Sequence, residues 1–311
     1  MGTQHAEADL SVTPEKLIWL NDPSKEPETF GGHSLAGFQV ANLYPFGDPC
    51  PADVNQHAIG DCCLCAVMAS LSYVYPGFIK NIIKNNGNQT FTVKLYDPKG
   101  QQIDVAVSNL FVGTSGSLGA SSGKSGQPTW STVLENAIIK WFQAFRNTSD
   151  IGGIGSEYAA AIITGNGSSF AFAPGSLPAT DMQRAVTVSL KRGKLIVGGF
   201  TQSDVPINDM YKTVSAHAYT LILPSDNTML FVMRNPWGVV PKVSGGYSDG
   251  KEDGMLFIKD DGLVPPLVDL RIMEPGAAEK FGVGGNLSPY TPPSYSPMPM
   301  RIAPHLLRTG M

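Results

Sequence analysis

Gln56-His57-Ala58-Ile59-Gly60-Asp61-Cys62 sets a cysteine where an apolar helix begins. Asp61 is a helix N-cap residue type, and Cys62 to about Tyr73 is apolar almost all round, the pattern of a buried helix. A thiol attacks as its thiolate, which the partial positive charge at a helix N-terminus favours. Gln56 lies in the preceding loop and offers an amide to a developing oxyanion, beside the Cys62 backbone N–H. The stretch reads as the nucleophile half of an acyl-transfer site.

The other half needs an imidazole. His5, His33 and His305 fall in extensions or loops, and His57 sits on the approach to the same helix. His217 instead opens an apolar strand, Ala218 to Leu223, which is followed by the turn sequence Pro224-Ser225-Asp226-Asn227-Thr228 and a second strand, Met229 to Met233. Antiparallel partners keep a constant sum of residue numbers. A turn centred on Asp226 sets that sum at 452, which pairs His217 with Asn235 on one face. A bulge would shift this register. An amide oxygen there holds the ring by one N–H and leaves its other nitrogen for the thiol, the orienting role in a Cys-His-Asn triad.

Outward from these sites the chain divides. Residues 1–38 are polar and rich in Pro and Gly, with one apolar patch at Leu17-Ile18-Trp19-Leu20, and read as an N-terminal extension. Thr90–Tyr96 and Ile103–Val107 alternate around Asp97-Pro98-Lys99-Gly100, predicting a hairpin. Gly113–Gln127 is Gly/Ser-rich and reads as a flexible loop. Trp130, Val133, Leu134, Ala137, Ile138, Trp141, Phe142 and Phe145 fall on one helical stripe. A short helix follows at about Glu157–Ile163, closed by Gly165, and Met182–Leu190 is helical. Leu195–Phe200, Ala218–Leu223, Met229–Met233 and Met255–Ile258 are β-like. A helix-rich first half and a strand-rich second half give an α+β fold with two lobes, 39–168 carrying the nucleophile and 169–275 carrying His and Asn. Residues 276–311 are a Pro-rich tail with little core of its own.

Composition narrows the function. The net charge of −4 suggests no nucleic-acid surface or polybasic anchor. No apolar run approaches the roughly 18 residues of a membrane span. The N-terminus lacks a signal-peptide pattern, and Ala6 stands against myristoylation at Gly2. Cys50, Cys62, Cys63 and Cys65 are too crowded for mutual disulfides, and there is no second ligand pair for zinc. A reducing compartment, read as cytoplasmic, fits.

These residues carry a family resemblance. Asp53-Val54-Asn55-Gln56-His57-Ala58-Ile59-Gly60-Asp61-Cys62 resembles the start of the calpain active site, and Trp130-Ser-Thr-Val-Leu-Glu135-Asn-Ala137 resembles that family's Trp-x-x-Leu-Leu-Glu-Lys-Ala helix. Gly152-Gly153, Thr164-Gly165, Lys191-Arg-Gly-Lys-Leu-Ile, His217-Ala-Tyr and Arg234-Asn-Pro-Trp-Gly238 continue in the family's order, over about residues 40 to 272. The resemblance implies a papain-like fold and a cysteine endopeptidase acting on proteins or peptides. Cys62 would be nucleophile, His217 general base and acid, Asn235 orienter and Gln56 oxyanion donor. Trp237 would shield the His–Asn bond, with Gly60 at the cleft.

The departures are specific. Cys63 stands where calpains usually have Trp, and Ala216 where they usually have Gly. Of the calcium ligands the family implies, Asp53 matches at one site, but Ala160 and Ala161 replace an acidic pair. Asp249 and Asp253 match at the other, but Pro241 and Met255 replace two glutamates. Calcium favours several hard oxygen ligands, so both sites read as depleted and no cofactor is required. A Cys-His-Asn acyltransferase and an inactive peptide-binding scaffold are the alternatives. Either terminal segment is a candidate inhibitory strap across the cleft.

Overall fold

The computed structural model describes residues 8–27, 33–114, 116–172, 177–200, 212–225, 229–240, 253–259, 269–282 and 287–293. Helix α2, Cys62–Val74, forms where its apolar run predicts. Ten of its 13 residues are buried, because it is packed on several sides. The neighbours are a 3-10 turn at Pro51–Asp53, α3 (Pro76–Ile82), α4 (Trp130–Arg146) and α5 (Ser156–Thr164). On its other side lie strands β8 (Leu195–Phe200) and β9 (His217–Ile222). Helix α2 is therefore the element shared by the helical and β-rich parts.

Helix α4 follows its predicted stripe. Thr129 caps it, and Trp130, Leu134, Ile138, Trp141 and Phe145 enter the main core. Helix α5 ends at Gly165, whose φ of 76° needs the left-handed conformation that glycine adopts freely. The predicted hairpin is β3 (Thr90–Tyr96) with β4 (Gln102–Val107), joined on its other side by β2 (Ile83–Gly87).

A second core belongs to a six-stranded antiparallel sheet ordered β11-β10-β9-β8-β12-β7. Its further strands are β7 (Ser169–Phe172), β10 (Met229–Arg234), β11 (Met255–Lys259) and β12 (Asp269–Met273). Helix α6, Ala179–Lys191, covers it with Met182, Val186 and Leu190 against Ile196, Tyr219, Phe231 and Leu256. Strand β12 runs between β8 and β7. Both β12 and β7 are short and pair across about a hundred residues, so local periodicity does not reveal them.

Four expectations are corrected. Gly113–Gln127 is not a flexible loop: β5 (Leu110–Thr114) turns into β6 (Ser117–Leu118), and Leu118 to Gly123 is buried. Its small residues permit close backbone approach; a side chain on Gly123 would meet Thr129 Cγ2 at 2.6 Å. The extension ending at 38 is part of the folded unit. Its helix α1 (Pro14–Leu20) buries Leu20 in the main core, and β1 (Ser34–Gly37) pairs with β5. The first half also holds two small sheets, so it is mixed rather than helical. The tail begins with a 3-10 helix at Gly276–Phe281 that buries Ala278, and Tyr290 packs edge-on against Tyr73.

Among the described residues no single helix is long and apolar enough to cross a membrane. Helices α2 and α3 pass such a test only together, across a 112° bend, and both serve the core.

Candidate active site

Strand β9 begins at His217, and Asn235 directly follows β10. The observed register pairs Val232 with Ile222 and Arg234 with Thr220, a sum of 454 rather than 452. The turn residues 226–228, including Asp226, lie outside the described residues. A shift of two in the sum preserves which face each side chain occupies. Asn235 therefore reaches His217 diagonally, and Oδ1 lies 2.8 Å from His217 Nε2. The Trp237 backbone N–H donates to the same Oδ1 at 3.0 Å, which identifies that atom as the oxygen. Nε2 thus carries the hydrogen, and Nδ1 is left for the thiol.

Cys62 meets that ring from the first turn of α2. The neighbouring Cys63 thiol first, and then the His217 ring, hold the Cys62 thiol down at about 4 against burial. The hydrogen bond to Cys62, and then burial, push Cys63 far up, so it remains a neutral thiol beside the thiolate. Trp237 covers the imidazole, ring centroids 4.7 Å apart at 46°. Tyr219 meets its other side edge-on at 5.1 Å.

The cleft outside this pair encloses about 290 Å³. Cys62, Cys63, Val197, Ala216 and His217 line it, with Glu157, Asp269 and Arg271 as its charged wall. Arg271 Nη1 pairs with Glu157 Oε1 at 2.9 Å, and its Nε with Asp269 Oδ2 at 2.9 Å. Ala216 holds a φ of 50°, a left-handed conformation that costs a residue with a Cβ. A larger groove of about 670 Å³ beside α6 contains none of these residues.

The stretch before Cys62 is tied to the strand carrying Asn235. Buried Arg234 donates from Nη1 to Val54 O at 2.8 Å and from Nη2 to Asn55 Oδ1 at 2.9 Å. Gln56 N donates to Pro236 O at 2.7 Å. Gly238, at φ 70°, must be glycine here, since a Cβ would stand 2.0 Å from Asn55 Oδ1. In the sequence Arg234 is visible only as part of Arg234-Asn-Pro-Trp-Gly238; nothing local signals that it reaches 180 residues back.

The remaining site residues fall differently. Asp61 occupies the N-cap position of α2, but its side chain makes no cap bond and turns inward. Gln56 lies nearby, yet its Nε2 donates to Ile59 O at 2.8 Å and Asp61 Oδ1 at 3.3 Å, which engages both amide hydrogens. Gly60 is exposed, with open space around it, and is not in the cleft lining. His57 bonds Ser122 Oγ at 2.7 Å. Asp53 is buried and accepts from Trp130 Nε1 at 2.8 Å and Cys50 N at 3.1 Å, and burial pushes it up to about 6. Asp53 Oδ1 has no hydrogen-bond partner, but Ala160 and Ala161 bring no side-chain oxygen, so these side chains do not fit a calcium cage. Asp253 Oδ1 caps Met255 N at 2.9 Å, and Asp249 lies outside the described residues.

A sequence profile described as calpain family cysteine protease matches residues 39–255, more than half of the chain. The chain belongs to the calpain family. It is 28% identical over 216 residues to the calpain-1 catalytic subunit of Sus scrofa, covering 65% of this chain and 29% of that protein. The calpain-1 catalytic subunits of Bos taurus and Macaca fascicularis are each 27% identical over the same shares. The chain thus spans less than a third of the length of these curated calpains. The matched segment contains Cys62, His217 and Asn235.

Proposed function

We propose that this chain is a cysteine endopeptidase of papain-like, two-lobed form, cleaving peptide bonds in protein or peptide substrates. One observation carries the reading: Cys62 at a helix start meets a His217 ring that Asn235 holds at 2.8 Å. The Cys62 thiolate attacks the scissile carbonyl carbon. The His217 imidazolium gives its Nδ1 proton to the leaving amine as the C–N bond breaks, leaving a Cys62 thioester. Water then loses a proton to His217 and attacks the thioester, releasing the acid and returning the thiolate. Trp237 keeps water from the His–Asn bond, and the Cys62 N–H faces the oxyanion; Gln56 joins it as donor only by releasing Ile59 O or Asp61.

The charged wall of Glu157, Asp269 and Arg271 joins α5 to β12, so a substrate lies between the helical and β-rich parts. We propose turnover without calcium, because the side chains at Asp53 serve Trp130 and Cys50 instead. The four free cysteines suit a reducing, cytoplasmic setting. A second reading, a peptide-binding scaffold without turnover, draws on the Gln56 amide being engaged elsewhere.

The deciding experiment incubates wild type and Cys62→Ala with unfolded casein, with calcium or with a chelator. Cleavage lost only in the variant, and kept in chelator, is the expected result. An epoxide probe labelling Cys62 without casein cleavage supports the scaffold or an acyltransferase. Labelling at Cys63 or Cys65 instead overturns the nucleophile assignment.

A further inference from the structure

Behind the nucleophile lies a buried acid pair that the hydrolytic cycle does not use. Asp61, Cys65 and Glu135 are fully buried, and their ligating atoms lie within 4.8 Å of one another. Asp61 starts α2 and Glu135 projects from α4. Glu135 Oε2 accepts from Ser121 N at 2.6 Å. Asp61 Oδ1 accepts from Gln56 Nε2 at 3.3 Å and Cys65 Sγ at 3.6 Å. The other two oxygens, Asp61 Oδ2 and Glu135 Oε1, meet no donor, and Gln56 Oε1 beside them is also unpaired and buried. No ion pair among the described residues includes either acid.

Two carboxylates cannot both ionise in such a space without a cation. A single proton between them supplies a donor for one orphan oxygen and an acceptor for the other. We propose that Glu135 is held as a neutral acid donating to Asp61, and that this proton-sharing pair positions Gln56 and the Cys62 end of helix α2 for catalysis. The pair touches no substrate, so both are positioning residues, and their catalytic part rests on the peptidase reading.

Burial, then the Asp61 carboxylate beside it, raises Glu135 well above the ordinary carboxyl range. Burial likewise raises Asp61 to about 6. The titratable groups facing the pair are Cys65 and Cys62, both on α2. The packed loops bring only neutral donors, Gln56 and Ser121 N. A soft divalent metal held by both acids and Cys65 would also satisfy both orphan oxygens, but it would take Cys65 as thiolate. Burial and the two acids push that thiol strongly up, which favours the proton.

The sign of the pH dependence follows. A raised carboxyl pKa means the folded state keeps a proton that the unfolded chain releases, so stability is present at low pH and falls as pH rises toward the folded pKa. Glu135→Gln keeps the shape and a donor but cannot titrate. Three measurements test the pair in the full chain. Wild type is expected to show an infrared band of a buried protonated carboxylic acid that Glu135→Gln lacks. Urea stability measured from pH 5 to 9 is expected to fall more steeply in wild type than in Glu135→Gln. On casein, Glu135→Gln is expected to keep kcat within about threefold, and Glu135→Leu, which removes the donor, to lose about tenfold or more in kcat with little change in KM. An absent acid band, parallel stability profiles, or a stoichiometric metal that Cys65→Ala or Glu135→Gln releases would overturn the proposal. Should wild type cleave nothing, the peptidase reading fails, while the infrared and stability measurements still decide the pair.

Discussion

Ala216 and Cys63 both line the cleft beside Cys62 and His217, and each has a physical consequence. Ala216 sits at φ 50°, where a Cβ crowds the backbone. Ala216→Gly relieves that strain but frees the unfolded chain, so the net gain expected is about 1 kcal/mol in urea unfolding. A loss of stability would show that the Ala216 methyl packs usefully against the cleft. The Cys63 thiol beside Cys62 is the largest cause of the low value near 4. A lowered thiol pKa keeps the thiolate populated above that pH, so weakening the contact moves the acid limb upward. In Cys63→Ala, iodoacetamide alkylation of Cys62 at pH 5 is expected to slow roughly three- to tenfold. An unmoved limb would leave His217 as the whole cause. The adjacency of the two cysteines was legible in the sequence; the thiol-to-thiolate contact depends on a helix start directing both side chains into one cleft.

At the scale of elements, the hairpin of β9 and β10 shows what periodicity can and cannot do. The alternation put His217 and Asn235 on one face, and that held although the register sum moved from 452 to 454, because side-chain facing repeats every two residues. The same pattern could not show Arg234 docking on Val54 and Asn55, since that contact joins elements with no shared period. Arg234→Met keeps the bulk but leaves Val54 O and Asn55 Oδ1 without their buried donor. The expected cost is about 3 kcal/mol of stability. Peptidase activity should fall as well, because Asn235 is the next residue. A variant with wild-type stability by urea titration would mean that water replaces the guanidinium.

Across the whole molecule, the terminal segments behave as parts of the folded unit. Tyr290 Oη accepts from Ala52 N at 3.2 Å, and Tyr73 Oη donates to Ser288 O at 2.7 Å. Tyr290 also packs with Ile222, Val232 and Met255 from the β-rich sheet. The tail therefore joins the turn before helix α2 to the sheet carrying His217. Among the described residues, none from 1–38 or 276–311 lines the cleft. Ending the chain after residue 286 is expected to lower stability by about 2–3 kcal/mol and to reduce activity, read by thermal unfolding and casein cleavage. An increase in activity would support the inhibitory-strap reading. Composition alone marked these segments as coreless, because low apolar content says nothing of a few aromatic anchors.

What the sequence determined by itself was the set of candidate groups: a thiol at an apolar helix start, an imidazole and an amide on one face of a hairpin, and most of the elements that carry them. Those properties are local, since helix and strand periods and turn residues act over a few positions. Only the tertiary structure decided how the amide of Gln56 is engaged, why Asp61 turns away from its cap, and that Glu135 faces it in a dry interior. Charge state and hydrogen-bond partners there depend on desolvation by groups far apart in the chain, which no local pattern encodes.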